Sequence, residues 1–88
     1  MKVRVKKRFI KNLESLGSRE LVDECELALQ AAEDAANPND IPAFKWLSGY
    51  ANYGRIRVGD YRIGLRIDGD TICFICLLHR SVVYRHFP

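Results

Sequence analysis

The chain predicts an α+β domain: an antiparallel four-stranded sheet with an N-terminal helical hairpin packed on one face. Three observations lead there. Val3 and Val5 alternate with Arg4 and Lys6, the two-residue period of a half-buried strand. From Phe9 to Ala36 the apolar residues recur at helical spacing instead. Beyond Tyr53, three runs of alternating or apolar residues are separated by Gly-Asp and Asp-Gly turn signals. With 88 residues, the chain can support one small core, so residues 1–88 form a single domain.

The elements follow in order. After the Val3–Val5 strand, Phe9, Leu13 and Leu16 mark a first helix that Gly17 ends. Ser18 is placed to cap a second helix, whose apolar face is Leu21, Cys25, Ala28, Leu29, Ala32 and Ala36. Asn37-Pro38-Asn39-Asp40 breaks it, and Pro42 keeps the link to Phe44 irregular. The second half reads as a meander over Tyr53–Val58, Tyr61–Ile67 and Thr71–Arg80, turning at Gly59-Asp60 and Asp68-Gly69. A two-residue first turn pairs Val58 with Tyr61, Arg57 with Arg62 and Ile56 with Ile63. Alternation then sends Ile56, Val58, Tyr61, Ile63, Leu65 and Ile67 to the core, and Arg55, Arg57, Arg62 and Arg66 to the other face.

The last strand is apolar on both faces, with Ile72, Phe74, Cys76 and Leu78 on one and Cys73, Ile75 and Leu77 on the other. That suggests a central strand. One of its apolar faces lines the arginine side, as the floor of a groove or as a surface covered by the chain's own ends or a partner.

The net charge of +3 conceals a segregated pattern. Lys2, Arg4, Lys6, Lys7, Arg8 and Lys11 make the first eleven residues uniformly basic. Residues 19–40 set Arg19 against seven carboxylates, and residues 45–88 set seven cations against Asp60, Asp68 and Asp70. An acidic element thus separates two basic ones, and partners should differ between faces. Composition is that of an ordinary globular chain. The basic start runs into no long apolar stretch, and Ile72–Leu78 is too short to span a bilayer, so the expected location is the cytoplasm, away from membranes. Cys25, Cys73 and Cys76 cannot all pair with one another and are expected as reduced core residues.

Candidate chemistry follows from the basic half. Its three carboxylates sit at turns, where Asp is favoured for local hydrogen bonding, and do not converge as a two-metal nuclease requires. Cys73-x-x-Cys76 looks like half a zinc site, but residues three apart on a strand face opposite ways. No metal or cofactor is expected. The arginine patch has two readings, a solubilising surface or a phosphate site. Arginine rather than lysine at every strand position favours phosphate, which the planar guanidinium can grip in a bidentate way. Tyr50, Tyr53 and Tyr84 are possible stacking surfaces for single-stranded bases. RNA cleavage through the 2′-hydroxyl needs cations on the pentavalent phosphate and groups that move two protons. Arginine is a poor base because it stays protonated to above about pH 12. His79, His86 and Tyr84 are therefore the proton-transfer candidates.

Three stretches together resemble RelE-type toxins of the RelE/ParE toxin–antitoxin superfamily: Lys45-Trp46-Leu47-Ser48-Gly49, Tyr53 through Ile63, and His79-Arg80-Ser81-Val82-Val83-Tyr84-Arg85. The likeness covers nearly the whole chain. It implies a ribosome-dependent endoribonuclease that cuts messenger RNA in the ribosomal A site and inhibits translation, with a basic surface on the transcript and the ribosomal RNA. By position, Arg55, Arg57, Arg62, Arg80 and Tyr84 match the family's catalytic and phosphate-binding set. The catalytic candidates are thus Arg57, Arg62, Arg80, Tyr84, His86 and His79, with Lys45, Arg55, Arg66 and Arg85 for RNA phosphates. Some relatives carry lysine where this chain has Arg55 and Arg57, and others a histidine near the C-terminus, which points to His86 or His79. The resemblance also implies a RelB-like antitoxin from the same operon, whose acidic or amphipathic segment would cover the catalytic surface.

Strict alternation puts His79, not Arg80, on the arginine face, and only a bulge or strand end near His79 would bring Arg80 into the patch. Two other classes share these features. A ParE-like gyrase poison has the same fold but acts by protein binding, and Arg62, Arg80 and Tyr84 argue against it. A non-catalytic RNA-binding module is the third.

Overall fold

The computed structural model describes all residues, 1–88. In chain order the elements are β1 (Lys2–Val5), α1 (Lys7–Glu14), α2 (Arg19–Asp34), a 3₁₀ turn (Pro38–Asp40), β2 (Phe44–Trp46), β3 (Tyr53–Val58), β4 (Tyr61–Asp68), β5 (Thr71–His79) and α3 (Val83–His86). The sheet has five strands in the order β1-β5-β4-β3-β2. β1 runs parallel to β5 and the other pairs are antiparallel.

This corrects the expected four-stranded antiparallel sheet twice. Phe44–Trp46 is a strand, pairing Lys45 with Arg55 and Trp46 with Gly54, but three residues are too few for a period to show. β1 reaches the far side of β5 after no connection that its own sequence specifies, and its parallel sense comes from tertiary packing of the hairpin α1–α2. No helix is long and apolar enough to cross a membrane.

The helices form as their caps dictate. Gly17, at φ +65°, turns the chain after α1, and the Ser18 hydroxyl accepts the Leu21 N–H at 3.3 Å to start α2. α2 stops at Asp34, so Ala36 is exposed and Ala35 is buried in its place. Phe9, Cys25 and Ala32 from the two helices meet Ile56, Ile63, Leu65, Ile72 and Phe74 from the sheet in the main core. β5 is an interior strand with both faces covered, as its two apolar faces require.

Both hairpin turns have glycine first and aspartate second. Gly59 and Gly69 take positive φ while Asp60 and Asp70 do not, the pattern of a II′ turn. The second turn is therefore Gly69-Asp70, with Asp68 paired to Thr71, rather than Asp68-Gly69. That shift of two residues in register preserves alternation. What breaks it is a bulge: Leu65 pairs with Phe74, yet Gly64 pairs with Cys76, leaving Ile75 unmatched. Past the bulge the faces of β5 exchange. Ile72, Phe74 and Leu77 go to the main core, while Cys76 and Leu78 face the arginine side with Ile75, correcting the face assignment made from strict alternation.

Candidate nucleic-acid interface

Because Val58 pairs with Tyr61, Arg57 with Arg62 and Arg55 with Gly64, the turn at Gly59-Asp60 fixes three arginines on one sheet face. β2 adds Lys45 opposite Arg55. Together Lys45, Arg55, Arg57 and Arg62 line a depression of about 350 Å³. None of the four has a carboxylate within ion-pair distance. Like charges held side by side raise the potential of the depression and favour an anion joining them. Arg62 is oriented by its own turn, donating from Nη1 to the Gly59 carbonyl at 3.0 Å and to the Tyr61 carbonyl at 2.9 Å.

The bulge also decides between His79 and Arg80. In the shifted register His79 pairs with Tyr61, on the helix-facing side, and stacks edge-on against its ring at 5.4 Å. Its Nδ1 accepts the Ser81 N–H at 3.1 Å and lies 2.8 Å from Ser81 Oγ. It borders Asn12, Ser15 and Leu16 of the α1 region rather than any arginine. Arg80 continues the Arg62–Leu78 parity, and its N–H donates to the Asp60 carbonyl at 2.8 Å. Its Nε lies 3.8 Å from Asp60 Oδ1. Arg62 and Arg80 thus converge on the same turn.

The chain's own C-terminus covers the middle of this face. Val83 and Phe87 of the C-terminal segment are buried with Cys76, against Leu47, Tyr53, Ile75 and Leu78. Phe87 lies over Gly64, and the floor suggested by the sequence is therefore closed by the chain end. That division sets Arg66 apart. It donates to Asp68 at 3.0 Å and to the Tyr53 hydroxyl at 3.3 Å, and its guanidinium sits 5.5 Å from the Tyr53 ring centre. Those two hydrogen bonds push its pKa further up. With Arg4, Lys6 and Cys73 it borders a separate depression on the β1 side.

In α3, successive residues are about 100° apart around the axis. Val83 points into the sheet, so Tyr84 and His86 leave on opposite flanks. Tyr84 lines a cleft with Arg55, Trp46, Leu47, Ser48, Tyr50, Phe87 and Pro88. His86 and Arg85 are exposed and line neither this cleft nor the arginine depression, and Arg8 donates to the His86 carbonyl at 3.4 Å. Of the three proton-transfer candidates, Tyr84 alone shares a cleft with an arginine of the depression, Arg55. The sequence gives Trp46 and Phe87 no role. The available signal for Phe87 is its four-residue spacing from Val83, one helical turn with an apolar face.

No three His, Cys, Asp or Glu side chains are grouped as a metal site would need. Cys25 and Cys76 are buried, and burial raises both thiol pKa values, that of Cys25 to about 11.

No protein-family model matches the chain. It is 39% identical to toxin RelE3 of Methanocaldococcus jannaschii over 89 residues, covering 100% of both chains. The fold matches the crystal structure of a RelB-RelE antitoxin-toxin complex from Methanococcus jannaschii. That match has a TM-score of 0.81 and 35% identity, covering 97% of this chain and 99% of the other. An archaeal RelE-RelB complex from Pyrococcus horikoshii shares the fold at a TM-score of 0.74 and 22% identity, with 93% and 97% covered.

Proposed function

Because the chain belongs to the RelE family of toxins of toxin–antitoxin systems, we propose that it is a ribosome-dependent endoribonuclease that cuts messenger RNA by 2′-hydroxyl attack. The observation that carries this reading is the depression in which Lys45, Arg55, Arg57 and Arg62 stand together without a carboxylate. Such a cluster is matched to an anion that gains charge during reaction, as a phosphodiester does on becoming pentavalent.

In this reading Arg57 and Arg62 hold the non-bridging oxygens of the scissile phosphate, and Arg80 joins them from the far side of the Gly59-Asp60 turn. Lys45 and Arg55 hold a neighbouring phosphate. Arg66 and Arg85, outside the depression, contact flanking RNA or ribosomal RNA. The substrate's 2′-oxygen attacks phosphorus, its proton leaves to water, and the bond to the 5′-oxygen breaks. Tyr84 donates a proton to that departing oxygen and recovers one from solvent. The products are a 2′,3′-cyclic phosphate and a 5′-hydroxyl. No metal is needed, since the guanidinium groups supply the positive charge. The protein acts in the cytoplasm, and a RelB-like antitoxin from the same operon silences it by covering the arginine face.

Expression of the toxin without its antitoxin should arrest growth and cut transcripts within translated regions. A single 2′-deoxynucleotide at the scissile position should abolish cutting while ribosome binding persists, and chelators should have no effect. Full-length transcripts during continued protein synthesis would refute the reading. Cutting of the deoxy substrate would refute its mechanism.

A further inference from the structure

We propose that Asn12 is a positioning residue, whose side-chain amide holds the β5 bulge and so turns Arg80, rather than His79, to the arginine face. This rests on the nuclease reading above for the role of Arg80. It adds a residue of α1 that lines neither the arginine depression nor the Tyr84 cleft. Residues 72–78 are apolar throughout, so burial alone favours neither phase of the strand. Backbone hydrogen bonds on either side of the bulge make the choice.

In a regular strand the N–H and C=O of one residue point to the same edge, and those of the next residue to the opposite edge. The Phe74 carbonyl accepts the Lys6 N–H at 2.9 Å, which turns the polar groups of Phe74 to the β1 edge. The chain leaves that edge at Lys7, where α1 begins, and beyond Phe74 β5 has no strand on that side. Asn12 takes over there, its Oδ1 accepting the Leu77 N–H at 3.0 Å. Leu77 is 2% exposed, so without Asn12 that N–H would be left away from water with no partner.

Phe74 and Leu77 are three residues apart, and strict alternation would send their polar groups to opposite edges. Both point to the same edge, which requires one additional residue between them, and that residue is the unmatched Ile75. The shift persists to the strand end. Three residues past Leu77, the Arg80 N–H points to the β4 side and reaches the Asp60 carbonyl at 2.8 Å. Without the bulge that N–H would point away from β4, and His79 would lie among the arginines. β1 and Asn12 thus anchor opposite phases of one strand, and the bulge is where the two phases meet.

Two variants of the full chain separate the acceptor from the rest of the side chain. Asn12→Ala removes the acceptor and favours the helix intrinsically, whereas Asn12→Asp keeps an accepting oxygen at the same reach. Amide exchange is read by NMR, and single-turnover cleavage on programmed ribosomes. The Arg80 amide is the decisive one, because it bonds to Asp60 and not to Asn12. Asn12→Ala should speed exchange at Leu77 and Arg80 by about 10-fold or more, as local opening does. It should also slow cleavage by about 10²-fold, the scale for a misplaced catalytic group. Asn12→Asp should recover both. Added to Arg80→Ala, Asn12→Ala should cost little more, since the two act through one guanidinium. Where Asn12→Ala fails to fold, Asn12→Leu, which fills the gap without an acceptor, carries the same comparison.

Parent-like protection of the Arg80 amide in Asn12→Ala overturns the proposal, as does an unchanged cleavage rate. A loss that Asn12→Asp does not recover, or one that adds in full to that of Arg80→Ala, overturns it as well and leaves Asn12 a merely structural residue. A parent chain that cuts no transcript removes the nuclease reading alone, and the exchange data then decide whether Asn12 sets the side of Arg80.

Discussion

Phe87 lies so close against Gly64 that a Cβ added there would come within 2.8 Å of its ring, and equally near Cys76 Sγ. Glycine is therefore required in the middle of β4 by space, since its φ is not in the left-handed region. The contact anchors the chain end that carries Tyr84 to the strand that carries Arg62. We predict that Gly64→Ala expels Phe87 and costs about 1–3 kcal/mol, the usual range for overpacking. Cleavage should fall further than stability explains, because Tyr84 is displaced with α3. Denaturant unfolding combined with a cleavage assay below the transition checks both. A variant of unchanged activity would show that the C-terminal cover does not position the site.

Stability should also fall at alkaline pH through Cys25. Burial, with help from Glu24 and Glu26, raises its thiol from 9.0 to about 11 in the folded chain. Between those values the unfolded chain has released the proton while the folded chain still holds it. The folded state then binds more protons, and unfolding free energy declines as pH rises. The contribution is complete below about pH 9 and lost through about pH 11, a difference of about 2–3 kcal/mol. Urea titrations across this window should show a shallower decline for Cys25→Ala than for the parent. Part of the slope should remain, because burial shifts Cys76 the same way.

The register of β3 against β4 was legible because one Gly-Asp turn and two strict alternations leave a single solution, and the Arg57–Arg62 and Ile56–Ile63 pairs are those expected. The bulge at Ile75 was not. Residues 72–78 are apolar throughout, so both phases of the strand bury equally well and the pattern cannot choose. With it went the side occupied by Arg80 and His79. β2 and α3, at three and four residues, fall below the length at which periodicity is informative. Both depend on tertiary contacts, with Phe44 over Gly54 and Phe87 over Gly64.

Arg62 should separate chemistry from docking. It is half-buried, oriented by two carbonyls, and one of four cations around the depression. Removing one cation of four weakens attachment of a ground-state phosphate modestly, but the charge that develops in the transition state loses a fixed partner. Arg62→Ala should therefore lower the single-turnover cleavage rate by about 10²-fold or more while ribosome binding changes by less than about 10-fold. Arg62→Lys should recover binding better than rate, since an ammonium cannot reproduce the two-pronged contact. Equal losses in rate and binding would reduce Arg62 to a docking residue.

The last prediction concerns which side chain moves the proton. Strict alternation places His79 among the arginines, but the bulge turns it to the helix side, where Ser81 and Tyr61 engage its ring. His86 leaves α3 on the flank away from the cleft, and Tyr84 leaves toward it. We therefore expect His79→Gln and His86→Gln to cut within about threefold of the parent rate, since neither ring reaches the arginine depression. His79→Gln should show its effect in stability instead, because Gln cannot both stack on Tyr61 and accept the Ser81 N–H. Tyr84→Phe keeps the ring and removes only the hydroxyl. It should slow cleavage by about 10²-fold, within the ordinary range for losing a general acid, with little change in RNA affinity. The contrast with Tyr84→Ala is informative, since that variant should lose affinity as well by removing the ring along with the hydroxyl. A rate loss of 10²-fold or so in either histidine variant, with Tyr84→Phe unaffected, would transfer the proton to that imidazole. It would also require α3 or the His79–Ser81 turn to move when RNA binds.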